Sequence, residues 1–255
     1  MNALFSNRYL LILNTLNLYL YQNHKIIFMK KYYFTIALII FLFFGLISCS
    51  NEENKTQNLV VSRPTVPITS GKVQIGSQVW MTKNLNVSRY RNGDLIPEVQ
   101  DSNAWAALTT GAWCYYENDR LNGVQFGKLY NWYAVIDPRG LAPIGYHVPT
   151  DDEWTALTTY LGGEDVAGNK MKETSGWYPF PEITNINSSG FKGLPGGYCG
   201  YNGIFTNLGY YNSWWSSSEN VDTYVWYRFL VYNSSWAART STLASAGFSV
   251  RCLQD

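Results

Sequence analysis

Apolar and polar positions alternate through Val73-Gln74-Ile75 and again through Gln78-Val79-Trp80, with Gly76-Ser77 between the two runs. Period-two alternation around a two-residue turn that opens with glycine predicts a β-hairpin with a type II′ turn. The pattern changes at Thr150. Thr150-Asp151-Asp152-Glu153 has the spacing of a capping box and puts carboxylates on the positive end of a helix. Trp154, Leu157 and Leu161 then recur on one helical face before Gly162-Gly163 ends it. Shorter helices are expected over residues 101–108 and 127–135. Between 176 and 246 helical periods fade among Gly, Asn, Ser and aromatic residues, so short strands and long loops are expected. The class is α+β.

Upstream of the hairpin the chain is of another kind. Lys30-Lys31 precedes an uncharged apolar run, residues 32–47, shorter than the ~20 residues that span a bilayer as a helix. A basic pair, a short apolar stretch and small residues describe a secretory signal. Its end, Leu46-Ile47-Ser48-Cys49, resembles the lipobox of bacterial lipoproteins, which implies lipidation at Cys49 and a membrane partner through the acyl anchor. Residues 1–48 are therefore expected to be a removed leader, with the signal peptide at 29–48 and 1–28 an upstream extension ahead of Met29. Residues 49–70 are polar with spaced prolines and read as the lipidated Cys and a flexible tether. Glu52-Glu53 resembles the surface-export tags of some Gram-negative lipoproteins, so an outer-membrane, surface-exposed location is expected. Residues 71–255 form one domain.

Charge removes several function classes. The 255 residues carry a formal net charge of +1, and charged residues make up only 15%. From Cys49 onward fifteen cations face eighteen acids without blocks of one sign, which excludes a basic nucleic-acid binder. All ten tryptophans lie after position 79, within a span long enough for a real core.

Six ordered segments carry a family resemblance. They are Val73-Gln74-Ile75-Gly76-Ser77-Gln78-Val79-Trp80-Met81-Thr82-Lys83-Asn84-Leu85, Gly127-Lys128-Leu129-Tyr130-Asn131-Trp132-Tyr133-Ala134-Val135 and Gly145-Tyr146-His147-Val148-Pro149-Thr150-Asp151-Asp152-Glu153-Trp154. After them come Leu194-Pro195-Gly196-Gly197-Tyr198, Trp214-Trp215-Ser216-Ser217-Ser218-Glu219 and Gly247-Phe248-Ser249-Val250-Arg251-Cys252. Together they resemble the Fibrobacter succinogenes major paralogous domain. The resemblance implies a C-type-lectin-like fold of the formylglycine-generating-enzyme branch: a small twisted antiparallel sheet, two or more helices and long irregular loops. It also implies a disulfide between Cys114 and Cys252, with Cys199 spare; the rival pairing is Cys199–Cys252. A bond closing the first of these loops would constrain the unfolded chain by roughly 4–5 kcal/mol.

Catalytic chemistry is hard to assemble from these residues. After Cys49 the chain has one histidine, His147, just before the capped helix, where a hydrogen-bonded structural role is expected. Asp151, Asp152 and Glu153 are accounted for by the helix N-terminus, and no Cys/His cluster has metal-ligand spacing. By resemblance, formylglycine-generating enzymes place a copper-binding Cys before an Ala-Ala-Arg-like segment; here Trp236 precedes Ala237-Ala238-Arg239. No cofactor is implied, although loops rich in Asp and Asn would suit a structural calcium with ligands not identifiable from sequence.

The segment from Tyr210 to Thr242 is an aromatic-rich mixture with Ser, Asn and Arg, the composition of a paratope. Alternation along 224–232 divides two faces. Val225, Tyr227, Phe229 and Val231 are expected inward; Tyr224, Trp226, Arg228 and Tyr232, with Trp236 and Arg239, are expected outward as a ligand-binding face. The expected function is non-catalytic recognition of a glycan or an envelope or host protein. The alternatives are an enzyme on the sulfatase-modifying scaffold with other residues, or a structural envelope protein.

Overall fold

The computed structural model describes residues 71–221 and 224–255. The expected leader, Cys49 and tether lie outside the described residues. Among the described residues no helix is long and apolar enough to cross a membrane.

The described residues are mixed α+β, with two curled sheets, a two-stranded ribbon and five α-helices. The hairpin forms as its alternation predicts. Strands β1 (Lys72–Ile75) and β2 (Gln78–Met81) pair with Ile75 opposite Gln78. Gly76 has φ +61° and Ser77 is not in the left-handed region, the signature of a II′ turn rather than I′. The other strands are β3 (Trp113–Cys114), β4 (Leu129–Tyr130), β5 (Tyr146–His147), β6 (Gly196–Cys199), β7 (Phe205–Leu208), β8 (Tyr211–Glu219), β9 (Tyr224–Val231), β10 (Ala237–Leu243) and β11 (Leu253–Gln254). The first sheet has the order β1-β2-β11-β5, so the last strand lies between the opening hairpin and β5. The second has the order β10-β9-β8-β6-β7, antiparallel except where Gly197 meets Asn212. β3 and β4 form the ribbon.

The helices are α1 (Ser102–Ala106), α2 (Arg120–Phe126), α3 (Trp132–Val135), α4 (Asp151–Tyr160) and α5 (Glu164–Met171). α4 carries the complete capping box, Thr150 and Glu153 each closing on the other's backbone. It buries Trp154 and Leu157, with Leu161 at its end. The expected helix over 127–135 is instead a strand and one short turn. Asn131 divides them: its side-chain oxygen accepts from Ala134 N and also from Ala112 N, so it caps the turn and ties it to the ribbon. Two helices had no sequence signal. α5 contains Gly168, a residue that weakens helices by about 1 kcal/mol, but here backbone from the β9–β10 turn comes so close that no Cβ fits.

The second sheet is covered on both faces. On one, Trp214, Leu230 and Ala237 pack against Trp80, Trp154, Leu157 and Phe191 beneath α4 and α5. On the other, Trp215 and Val225 pack with Tyr130, Trp132, Phe248 and Val250. A third cluster gathers Trp105, Ala112, Cys114, Tyr116, Leu129 and Cys199.

The expected Cys114–Cys252 disulfide is not formed in this structure. Cys114 and Cys252 belong to different clusters, and all three described thiols are free. The neighbour of Cys114 is Cys199, the residue expected to be spare.

Candidate functional site, an aromatic cleft

Two faces of the second sheet present themselves. The face expected to bind ligand is the one α4 and α5 cover. Arg228 is 2% exposed, a correction to its outward assignment. Its guanidinium pairs with Glu164 and donates to Thr155 Oγ1 at 2.7 Å and Asp151 Oδ1 at 3.3 Å. Opposite it on β10, Arg239 is held by the same carboxylate, 2.7 Å from Asp151 Oδ2, and lies 3.7 Å above the Trp226 ring. A buried carboxylate at the start of a helix thus takes up both guanidinium groups, leaving little donor capacity for a ligand.

The remaining expected residues are dispersed. Tyr224 is exposed at one end of β9. Tyr232, just past the other end, is half-buried among Tyr178, Phe180 and Tyr210, with ring centroids 5.1–5.8 Å away. Eight residues of strand separate Tyr224 from Tyr232 by about 26 Å. Trp236 projects from the β9–β10 turn, 54% exposed. The six do not form one site: Trp226, Arg228 and Arg239 gather around Asp151, and Tyr224, Tyr232 and Trp236 lie away from them.

The opposite face holds a cleft of about 430 Å³, within the ~300–1,000 Å³ typical of small-ligand sites. Strands β6, β8 and β9 supply Tyr198, Tyr211, Ser213 and Tyr227 as its floor, and Phe248 closes one side. The β6–β7 turn adds Tyr201, Asn202 and Ile204 as an exposed rim. Alternation explains why these residues converge. Ser213 and Tyr211 share a parity on β8, and Ser213 lies opposite Phe229, two residues from Tyr227. Tyr211 stacks on Phe229 at 4.9 Å, and Tyr198 meets Tyr211 and Phe248 edge-on at 5.6 and 5.7 Å.

The floor has polar tips. Burial raises the Tyr211 pKa, and its partnership with Tyr227 raises it further. Burial likewise raises Tyr227, although the bond with Tyr211 opposes the shift. Both therefore stay neutral phenols that can donate and accept. Ser213 is fully buried and its hydroxyl has no hydrogen-bond partner. An unpaired buried hydroxyl costs ~1–3 kcal/mol, so it marks a position where a ligand atom would complete the bonding. Among the described residues no carboxylate, imidazole, amine or guanidinium lines the cleft.

A family model described as the Fibrobacter succinogenes major domain matches residues 73–254. The chain belongs to that family. No curated protein and no solved structure matches it.

In this Fibrobacter succinogenes major domain His147 sits away from the cleft, between two carboxylates. Its Nδ1 is 2.8 Å from Asp255 Oδ1 and its Nε2 is 2.9 Å from Glu153 Oε1. Burial alone would lower the imidazole pKa, but the hydrogen bonds and charges of Asp255 and Glu153 outweigh it and raise it. Among the described residues no group of three His, Cys, Asp or Glu side chains is arranged to hold a metal ion.

Sequence reasoning missed Tyr198, Tyr201, Asn202, Tyr211, Ser213 and Tyr227 as a group. One signal was available. Tyr227 lies on the face of β9 expected inward, and a tyrosine there needs a partner for its hydroxyl, as an aliphatic residue would not.

Proposed function

We propose that this domain is a non-catalytic recognition module of the bacterial envelope, lipid-anchored through Cys49 and displayed at the outer-membrane surface, that binds a neutral sugar ring in the aromatic cleft. One observation carries the reading: a pocket walled by tyrosine and phenylalanine, whose side-chain polar groups among the described residues are phenols, hydroxyls and a carboxamide, with one buried hydroxyl unpaired. Aromatic faces cover the apolar face of a sugar ring, and neutral donors and acceptors match its hydroxyls. A charged ligand would find no counter-ion there. Among the described residues no carboxylate or imidazole lines the cleft, which supports binding over turnover. The finer fold reading is a C-type-lectin-like domain of the formylglycine-generating-enzyme branch; two curled sheets, few helices and long loops support it.

The test is a neutral-glycan array probed with the purified protein, with calcium and with chelator. Tyr201→Ala and Ser213→Ala are expected to weaken a hit at least tenfold, while Trp236→Ala leaves it unchanged. A hit lost in Trp236→Ala but kept in Tyr201→Ala would move the site to the other face. No binding to any neutral glycan would sink the sugar reading, and a chelator-sensitive hit would add a calcium ion to the site.

A further inference from the structure

The buried cysteines have no part in the cleft's bonding to a ligand, yet two of them are joined to its wall. Cys114 on β3 and Cys199 on β6 are 0% and 1% exposed, within one cluster that includes Trp105, Tyr116 and Leu129. The Cys199 thiol is the neighbouring group that, after burial, acts most on the Cys114 thiol, so the two side chains adjoin within that cluster, as a disulfide bond requires. The backbone on each side is fixed. Cys114 pairs with Leu129, and Cys199 exchanges both backbone hydrogen bonds with Gly247, at 2.9 and 2.8 Å. Gly200 and Tyr201 follow Cys199 into the cleft rim, and Ala246 and Phe248 flank Gly247 on the cleft side.

We propose that Cys114 and Cys199 are joined by a disulfide bond that ties the cleft wall to the β3–β4 ribbon. The oxidant is a small-molecule disulfide such as glutathione disulfide. One cysteine thiolate attacks it, forming a mixed disulfide and releasing one glutathione thiolate. The second cysteine loses its proton and attacks the protein sulfur of that mixed disulfide, releasing the second. The two cysteine thiols lose two electrons and two protons, and the oxidant takes up both to give two thiols. Burial raises the Cys114 thiol pKa in the folded domain, which places the exchange during folding, while the thiols are accessible. Cys252 remains a buried free thiol in the other cluster. The bond pre-organises the cleft whatever ligand enters it.

The purified chain is refolded in a glutathione redox buffer, its free thiols are blocked, and it is digested with trypsin without reduction. The expected product joins peptide 92–120 to peptide 193–228, lighter than the reduced pair by about 2 Da, while the terminal peptide carries a blocked Cys252. A link that includes Cys252, or three blocked thiols, overturns the assignment. A second measurement compares thermal unfolding of the oxidised and reduced protein. The oxidised form is expected to unfold at the higher temperature, with the difference abolished in Cys114→Ser and in Cys199→Ser and kept in Cys252→Ser. A difference that survives in Cys114→Ser overturns it. Neither measurement depends on finding a ligand.

Discussion

The carboxamide oxygen of Asn84 accepts hydrogen bonds from Arg251 at 2.7 Å from Nη2 and 3.1 Å from Nε, although 167 residues separate the two in the chain. Trp214 Nε1 donates to the same oxygen at 2.8 Å, and Asn84 Nδ2 donates to Phe126 O at 2.8 Å. Arg251 is buried with Phe191 beneath its guanidinium, at 4.4 Å from the ring centroid. Three of the six segments that carry the family resemblance therefore meet at one atom. Among the described residues Arg251 has no carboxylate as a hydrogen-bond partner; Asn84 and the carbonyls of Met81, Phe191 and Lys192 accept from it.

Asn84→Ala would strip three donors of their acceptor, two of them on a buried cation. The expected loss is about 3–5 kcal/mol of folding stability, read from urea unfolding. Asn84→Asp keeps the acceptor and adds a charge facing the guanidinium but forfeits the donors to Phe126 and Ser249, so its loss should be smaller. Equal losses in the two variants would show that Asn84 acts through its amide donors instead.

Elements whose cause is local were legible in the sequence. The hairpin needs only alternation and Gly76, and α4 only its capping box and the spacing of Trp154 and Leu157. What failed was non-local. The alternation of β9 separates Tyr227 from Arg228 correctly, but it cannot reveal that both faces are covered or that Asp151, far away in sequence, neutralises Arg228. Cys199 carries no local mark of Cys114 either, because the third cluster brings them together. The outward assignment of Arg228 failed for the same reason: it assumed that a strand has one covered face.

Gly168 tests α5, a helix without a signal in the sequence. An alanine in a helix interior normally stabilises by up to ~1 kcal/mol over glycine. At 168 its Cβ would lie 2.2 Å from Trp236 O and 2.6 Å from Ser235 O, both backbone atoms. Gly168→Ala should therefore destabilise by about 2–4 kcal/mol, as overpacking does, and shift the Trp236 fluorescence as the turn is displaced. A neutral or stabilising outcome in thermal unfolding would contradict the close approach.

The His147 pair sets one pH dependence. Its imidazole pKa is raised above the ordinary 6.5, so the folded state binds the proton more tightly than the unfolded chain. This contribution is fully present below about pH 6.5 and is lost as pH rises through the folded value. Glu153 works in the other direction. Burial would raise its pKa, but bonds from Thr150 and His147 lower it below 4.5, so its contribution is lost as pH falls through that folded value. Stability attributable to the pair should be greatest between these limits and decline as pH rises above 6.5 through the folded value. His147→Asn should flatten that decline; an unchanged slope would show that the ring does not carry it.

Lys172 gives the opposite sign at higher pH. Its side chain is fully buried, its ammonium donates to Ser234 O, and it lies 5.4 Å from the Trp177 ring centroid. Among the described residues no carboxylate pairs with it, and burial pushes its pKa down from 10.5 to about 8. The unfolded chain then holds this proton more tightly than the folded one, so charge on Lys172 opposes folding at neutral pH. The full penalty applies below about pH 8, and stability should rise between pH 8 and 10.5 as the folded state gives up its proton first. Lys172→Met keeps the length and apolar stem and removes the buried charge. It should stabilise the domain at pH 7 by about 1–3 kcal/mol and abolish the rise above pH 8. Urea unfolding of the two proteins at pH 7 and pH 9.5 separates the outcomes. If Lys172→Met is less stable at both pH values by the same amount, the bond to Ser234 outweighs the cost of burying the charge.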